Sequence, residues 1–204
     1  MVTLLLAAHA SAADVPFSTS GCEILETHRE IGFTFHVETD GEEKVARQWR
    51  FEPRTHRVTR TIEGSSLDFV FGKPADEAQT KADAQFVNDS FWLFPQCHMG
   101  WAKELEVTEH GTRPMPFGQG AAFMTTVRYP VPGGGYRPGD AYDLFHNADG
   151  RIVAWHYRRM NEAEPSLTIR FTKPVNLGPL TVATDHPTED GKFRVFFTGL
   201  SATP

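Results

Sequence analysis

The sequence predicts a mainly β fold of the α+β kind, in which a curved antiparallel sheet forms a half-barrel around a mid-chain helical segment. Three observations lead there. Apolar and polar residues alternate through most of the chain, as they do in half-buried strands. The connections between these stretches are short and carry turn residues, which suits antiparallel neighbours. A helical insertion near residues 75–95 sits between two batches of strands. That placement favours a half-barrel whose concave face is plugged by helix over a closed barrel.

The elements follow in order. Residues 14–27 read as an irregular or partly helical entry. Ile31, Phe33, Phe35 and Val37 then share one face, with Thr34, His36 and Glu38 on the other. Thr39-Asp-Gly-Glu42 is a turn signal. Val45, Arg47, Trp49 and Phe51 alternate with Lys44, Gln48 and Arg50 to give a second strand. After a turn at Pro53 to His56, Val58 to Ile62 and Leu67 to Phe71 complete a meander. Pro74 opens a helix over Ala75 to Phe86. Asp76 and Glu77 lie where the helix dipole favours acids, and Ala75, Ala78, Ala82 and Phe86 make its apolar stripe. Asn88 and Asp89 are expected to interrupt it before a short piece that runs through Trp92. Strands resume at Leu105 to Glu109 and Phe123 to Tyr129, on either side of a Pro/Gly-rich loop at Thr112 to Gly120. Pro130-Val-Pro-Gly-Gly-Gly135 reads as a flexible connection. Asp140 to His146 and Arg151 to Tyr157 make the clearest hairpin, through Asn147-Ala-Asp-Gly150. Leu167 to Lys173, Leu180 to Thr184 and Phe193 to Thr198 end the set.

At 204 residues the chain is expected to form one domain over 13–204, after a signal peptide at 1–12. Leu4 to Ala8 is a short apolar core and Ala10-Ser-Ala12 a small-x-small cleavage site, although no basic residues precede them. The alternative is an apolar strand or helix turn. With the signal, the protein is periplasmic or secreted. No other stretch approaches the roughly 18 apolar residues of a transmembrane helix. The net charge of -6 disfavours a nucleic-acid surface. Arg47, Arg50, Arg54, Arg57 and Arg60 cluster, which fits a solvated strand face better than an anion site. In an oxidising compartment Cys22 and Cys97 either form a disulfide, adding on the order of 4 kcal/mol, or remain two buried thiols.

No zinc spacing, nucleophile elbow or phosphate loop is present, so no catalytic residue, metal or cofactor is assigned. Cys97-His98 is poor geometry for a nucleophile and base, because adjacent strand residues point to opposite faces. If Asp149-Gly150 is a two-residue loop, Asp143 and His156 lie directly opposite. A hydrogen bond between them would raise the histidine pKa. With Asp140 and His146 they are the constellation that a small hydrolase or metal-dependent enzyme would use. The aromatic residues are the stronger signal. Phe33, Phe35, Trp49, Phe69, Phe91, Trp92, Phe94, Phe123 and Trp155 either fill a core or line an apolar ligand pocket under an incomplete helical cover. The densest aromatic stretch, Phe86 to Trp101, supplies the plug.

The order of parts resembles the bacterial periplasmic LolA/LolB-like lipoprotein-carrier superfamily: an export signal, an early strand meander, a helical insertion, a closing hairpin. Asn88-Asp-Ser-Phe-Trp-Leu-Phe-Pro95, and Gly139-Asp-Ala-Tyr-Asp-Leu-Phe145 through Trp155-His-Tyr157, are similar to pieces of secreted bacterial proteins of that type. The resemblance covers most of residues 30–200. It implies a half-barrel whose cavity holds acyl chains or another apolar group, with a lipid or lipidated protein as partner and a helical cover that moves on release. The chain departs from that family in its weak N-terminal helix, and no family arginine is carried over. An envelope protein-interaction or sensor module without ligand is the alternative the same fold allows.

Overall fold

A computed structural model describes residues 16–102, 104–118, 120–131 and 137–204. The expected signal peptide and the Gly133–Gly135 run lie outside the described residues.

The mainly β expectation holds. Four strands form the expected meander: β1 (Glu30–Thr39), β2 (Glu42–Glu52), β3 (Arg57–Ile62) and β4 (Ser65–Val70). Helices α2 (Glu77–Leu93) and α3 (Pro95–Trp101) follow, after a one-turn α1 (Ile24–Thr27) in the entry segment. The later strands are β5 (Glu106–Pro114), β6 (Ala121–Arg128), β7 (Ala141–His146), β8 (Ile152–Arg158), β9 (Leu167–Arg170), β10 (Thr172–Leu177), β11 (Leu180–Pro187) and β12 (Phe193–Thr203).

They make two antiparallel sheets, not one closed barrel. The seven-stranded sheet has the order β10-β11-β12-β1-β2-β3-β4, and the five-stranded sheet β5-β6-β7-β8-β9. Phe171 alone separates β9 from β10. Its N–H donates to the Val153 carbonyl on β8 at 2.8 Å, and the next residue, Thr172, pairs with Asp185 on β11. One extended segment thus turns from one sheet into the other, and the two sheets meet there as a curved wall.

The helices lie inside that wall. Ala82, Phe86, Val87 and Phe94 pack with Phe33, Phe35, Trp49 and Phe69 of the seven-stranded sheet. Phe91 of α2 and Met99 of α3 pack with Tyr142, Leu144, Trp155 and Ile169 of the five-stranded sheet. Trp92 touches both clusters. Burying aromatic side chains on both sides of one helix is the main apolar gain of the fold.

Three local expectations need correction. Asn88 and Asp89 do not interrupt the helix, which runs on to Leu93. An aspartate disfavours helix interiors because it competes for local backbone groups, but the Asp89 carboxylate is taken by partners on the sheet. The Pro/Gly-rich stretch from Thr112 is strand as far as Pro114, where Thr112 pairs with Phe123 and Arg113 with Ala122. A register shift at Glu109/Gly111 absorbs the glycine, and a terminal proline is tolerated on an edge strand. Third, Asp143 and His156 are direct cross-strand partners, as expected, but no hydrogen bond joins them. Asp143 accepts from Thr126 at 2.7 Å and from Arg158 at 2.9 Å, while His156 bonds Thr168 at 2.7 Å. The histidine pKa is lowered, not raised, because burial outweighs the Asp143 charge.

The entry segment is a strap across one end of the wall. Ser18 N–H donates to the Gly150 carbonyl at 2.9 Å, Phe17 enters the second apolar cluster, and Cys22 is bonded to Cys97 of α3 with Cα atoms 5.4 Å apart. Gly21, at φ +86°, permits this approach: a Cβ there would stand 2.6 Å from the Leu180 backbone.

Candidate functional site

The concave face is covered by α2, and the sequence places that helix with polar groups as well as apolar ones. Its start is well defined. Asp76 caps it by accepting from Gln79 N–H at 2.8 Å, and the Gln79 side chain accepts from Ala75 N–H at 2.9 Å. Three side chains then fasten the helix to successive strands. Asp83 accepts from Gly72 N–H at 2.9 Å, just past β4. Gln85 accepts from Arg60 on β3 at 2.7 Å. Asp89 accepts two bonds from Arg47 on β2, each 2.7 Å, and one from Trp49 Nε1 at 2.8 Å.

The Asp89 clamp is the most buried of these. Its residue is 0% exposed, and burial raises its pKa although Arg47, Trp49 and Asn88 all pull it down. Arg47 also lies 5.0 Å over the Phe35 ring. Two arginines, Arg47 and Arg60, therefore face the helix from inside the sheet, and Arg60 is pulled down by burial and by Arg47. On the other side Arg137 lies 3.8 Å over the Phe91 ring and donates to the Tyr142 hydroxyl at 2.7 Å. His98 of α3 bonds Ser90 at 3.1 Å, and burial with the Arg137 charge lowers its pKa to about 3.

A pocket of about 530 Å³ opens beside this plug. Leu93, Pro95 and Gln96 at the α2–α3 junction form one wall, β11 from Leu180 to Ala183 another, and Ile152, Val153 and Phe171 the third. Ser18 and Ser20 of the strap and Asp149 and Arg151 of the β7–β8 turn edge it. Its volume is that of an ordinary small-molecule site, roughly 300–1,000 Å³, and its lining mixes apolar walls with a polar edge in nearly equal measure.

The candidate aromatic residues fall in three places. Phe33, Phe35, Trp49, Phe69, Phe91, Phe94 and Trp155 are packed in the core, none more than 4% exposed. Trp92 is partly buried between the two clusters, and Phe123, 47% exposed, stacks on His146 near one end of the five-stranded sheet. None of them lines the 530 Å³ pocket. Of the hydrolase constellation, Asp143 and His156 stand side by side but each bonds other groups. Asp140 accepts from Tyr157 and from Met160 N–H, His146 bonds Thr125, and the other two have the partners given above. Among the described residues no three His, Cys, Asp or Glu side chains could hold a metal.

Sequence reasoning missed Asp89, Arg137 and His186. Arg47 carried the signal for the first, since it is a charge in phase with Trp49 and Phe51 on an inward face. No comparable signal marks the other two.

No protein-family model matches the chain, and no curated protein matches it. Among solved structures it is similar to a LolA superfamily protein from Nitrosomonas europaea, with TM-score 0.46 and 6% identity over 90% of each chain. It is also similar to a DUF1329 family protein from Desulfovibrio piger, with TM-score 0.45 and 8% identity over 89% of this chain and 88% of that one. At these identities no residue role is carried across.

Proposed function

We propose that the protein is a periplasmic or secreted binding or carrier protein for an apolar ligand, such as a lipid or the acyl chain of a lipidated protein. The observation that carries this reading is the 530 Å³ pocket at the seam of the two sheets, walled by Leu93, Pro95, Phe171, Leu180 and Val182. An acyl chain seated there gains about 0.8 kcal/mol for each CH₂ taken out of water. The helical plug extends the site. Where α2 swings out on a ligand longer than the pocket, Phe33, Phe35, Trp49, Phe69, Phe91, Trp92, Phe94 and Trp155 become the surface it packs against. Phe123, outside this cover, would meet only a ligand reaching the far end of the five-stranded sheet. The Arg47–Asp89–Trp49 clamp is then the latch that the ligand must open.

Lipid extraction and native mass spectrometry of the purified protein test the reading. The expected result is a co-purifying apolar molecule, or saturable uptake of a fluorescent fatty-acid probe. A clean protein that ignores such probes contradicts it. A second reading, an envelope interaction module without ligand, draws on the near-complete burial of the core aromatics. It predicts capture of a partner from envelope extracts with no lipid bound.

A further inference from the structure

Two buried rings beside the pocket have unsatisfied polar atoms among the described residues. Trp155 is 1% exposed and His186 is 0% exposed, yet among the described residues Trp155 Nε1 and the ring nitrogens of His186 have no partner in ordinary hydrogen-bond geometry. Buried polar groups are rarely left so. The two rings are neighbours across the same side chain. Phe171 stands 4.9 Å from the Trp155 ring and 4.6 Å from His186, both edge-on, and Trp92 stands 5.2 Å and 6.0 Å from the same pair. Phe171 is also a wall of the pocket, and so is Ala183. Phe171, at the residue where the chain changes sheets, thus lines the pocket and touches both unsatisfied rings.

The chemistry of the pair selects its partner. An indole N–H only donates, and a neutral imidazole offers one donor and one acceptor. The ring is held neutral by burial, which lowers its pKa to about 3. No charged side chain bonds either ring. Asp185, next in sequence to His186, is engaged by Arg194 at 2.5 Å and Lys173 at 2.9 Å. The Ala183 backbone acts as a hydrogen-bond acceptor toward one ring nitrogen, outside the ordinary bond geometry, and leaves the other nitrogen for a ligand. A ligand anion would be stripped of water there without a cation to meet it, which is costly. A hydroxyl group both accepts and donates and carries no charge.

We propose that the pocket takes an uncharged amphiphile head first, and that its hydroxyl group passes Phe171 to accept from Trp155 Nε1–H and donate to a ring nitrogen of His186. Long-chain alcohols, sterol-like alcohols and protonated fatty acids share this chemistry. The inference rests on the carrier reading and adds which end of the ligand is held. The Phe171 ring swings aside on entry, and the apolar tail remains between Leu93, Leu180 and Val182.

The test uses the full chain and displacement of an uncharged fluorescent long-chain alcohol probe by 1-dodecanol, its methyl ether 1-methoxydodecane, and dodecane. The alcohol is expected to displace about tenfold more strongly than the ether, the scale of one well-made buried hydrogen bond. His186→Phe is expected to bring that ratio to about one while dodecane still binds, whereas Trp155→Phe removes the donor that alcohol and ether both accept from and is expected to weaken the two alike, leaving the ratio near tenfold. Equal potency of alcohol and ether on the unaltered protein overturns the inference and leaves the carrier reading standing. Failure of the probe and of all three compounds to bind overturns both. Stability supplies an independent arm. Replacing an unsatisfied buried polar group by an apolar one of similar shape is neutral or stabilising, so His186→Leu and His186→Phe are expected to melt no lower than the parent. A clear fall in both means that the nitrogens are already satisfied within the protein, and overturns the inference.

Discussion

Asp89 shows how one side chain sets the position of a helix. It is fully buried, and its carboxylate takes three hydrogen bonds from Arg47 and Trp49. Breaking a buried pair on one side leaves an unpaired charge and typically costs about 3–5 kcal/mol, whereas replacing both partners by apolar residues is often neutral. Asp89→Ala is therefore expected to lower stability by about that amount in urea unfolding, and Arg47→Met with Asp89→Leu to recover most of it. A single Asp89→Ala change without effect would show the clamp to be idle. His186 gives a second expectation, in pH. Its folded pKa is lowered to about 3 by burial, so the unfolded chain takes up a proton near 6.5 that the native ring refuses. Stability from the neutral ring is then full above pH 6.5 and is lost on acidification, at about 1.4 kcal/mol per pH unit. Melting curves between pH 7.5 and about 5 check the sign, and His186→Phe should make the slope shallower. An unchanged slope in that variant would contradict the assignment.

Among the elements, strands were legible and their partners were not. Alternation at Ile31 to Val37 and Val45 to Phe51 reports one buried face directly, because side-chain direction has a period of two. The end of α2 is not legible locally because Asp89 finds its partner 42 residues away in sequence, on a strand. Nothing local distinguishes a clamped aspartate from a helix-ending one. The turn of the chain at Phe171 was read as one strand from Leu167 to Lys173, since apolar and polar residues alternate through it while the sheet behind them changes. The aromatic residues were legible as a set, but whether they fill or line a cavity depends on the volume of α2 against the curvature of the sheet, which no spacing encodes. The cysteines were open for the same reason, and the structure pairs Cys22 with Cys97. That bond ties the strap to α3, next to the pocket wall at Leu93 and Pro95. Cys97→Ser with Cys22→Ser is expected to lower stability by about 2–5 kcal/mol, read as an earlier unfolding midpoint. Gly21→Ala should destabilise as well, because its left-handed backbone and the nearby Leu180 both exclude a Cβ.

For the whole molecule, the wall of two sheets is held in one curve by the segment through Phe171, and its ends are the free edges β4 and β5. The helical plug divides the interior into a filled part, under α2, and an open part, between α3 and β11. A carrier needs such a division, because a surface that is dry without ligand still has to yield to one. In the proposed carrier reading, the filled part supplies stability and the open part the entry point. The most direct measurement is titration of a fluorescent fatty-acid probe into the intact protein and into Ala183→Trp, a substitution at a half-buried pocket wall that belongs to none of the apolar clusters packed on α2. The carrier reading predicts saturable binding of about one probe per chain, lost or weakened at least tenfold in Ala183→Trp while the melting temperature holds. Absence of saturable binding, or binding that Ala183→Trp leaves unchanged, would contradict it.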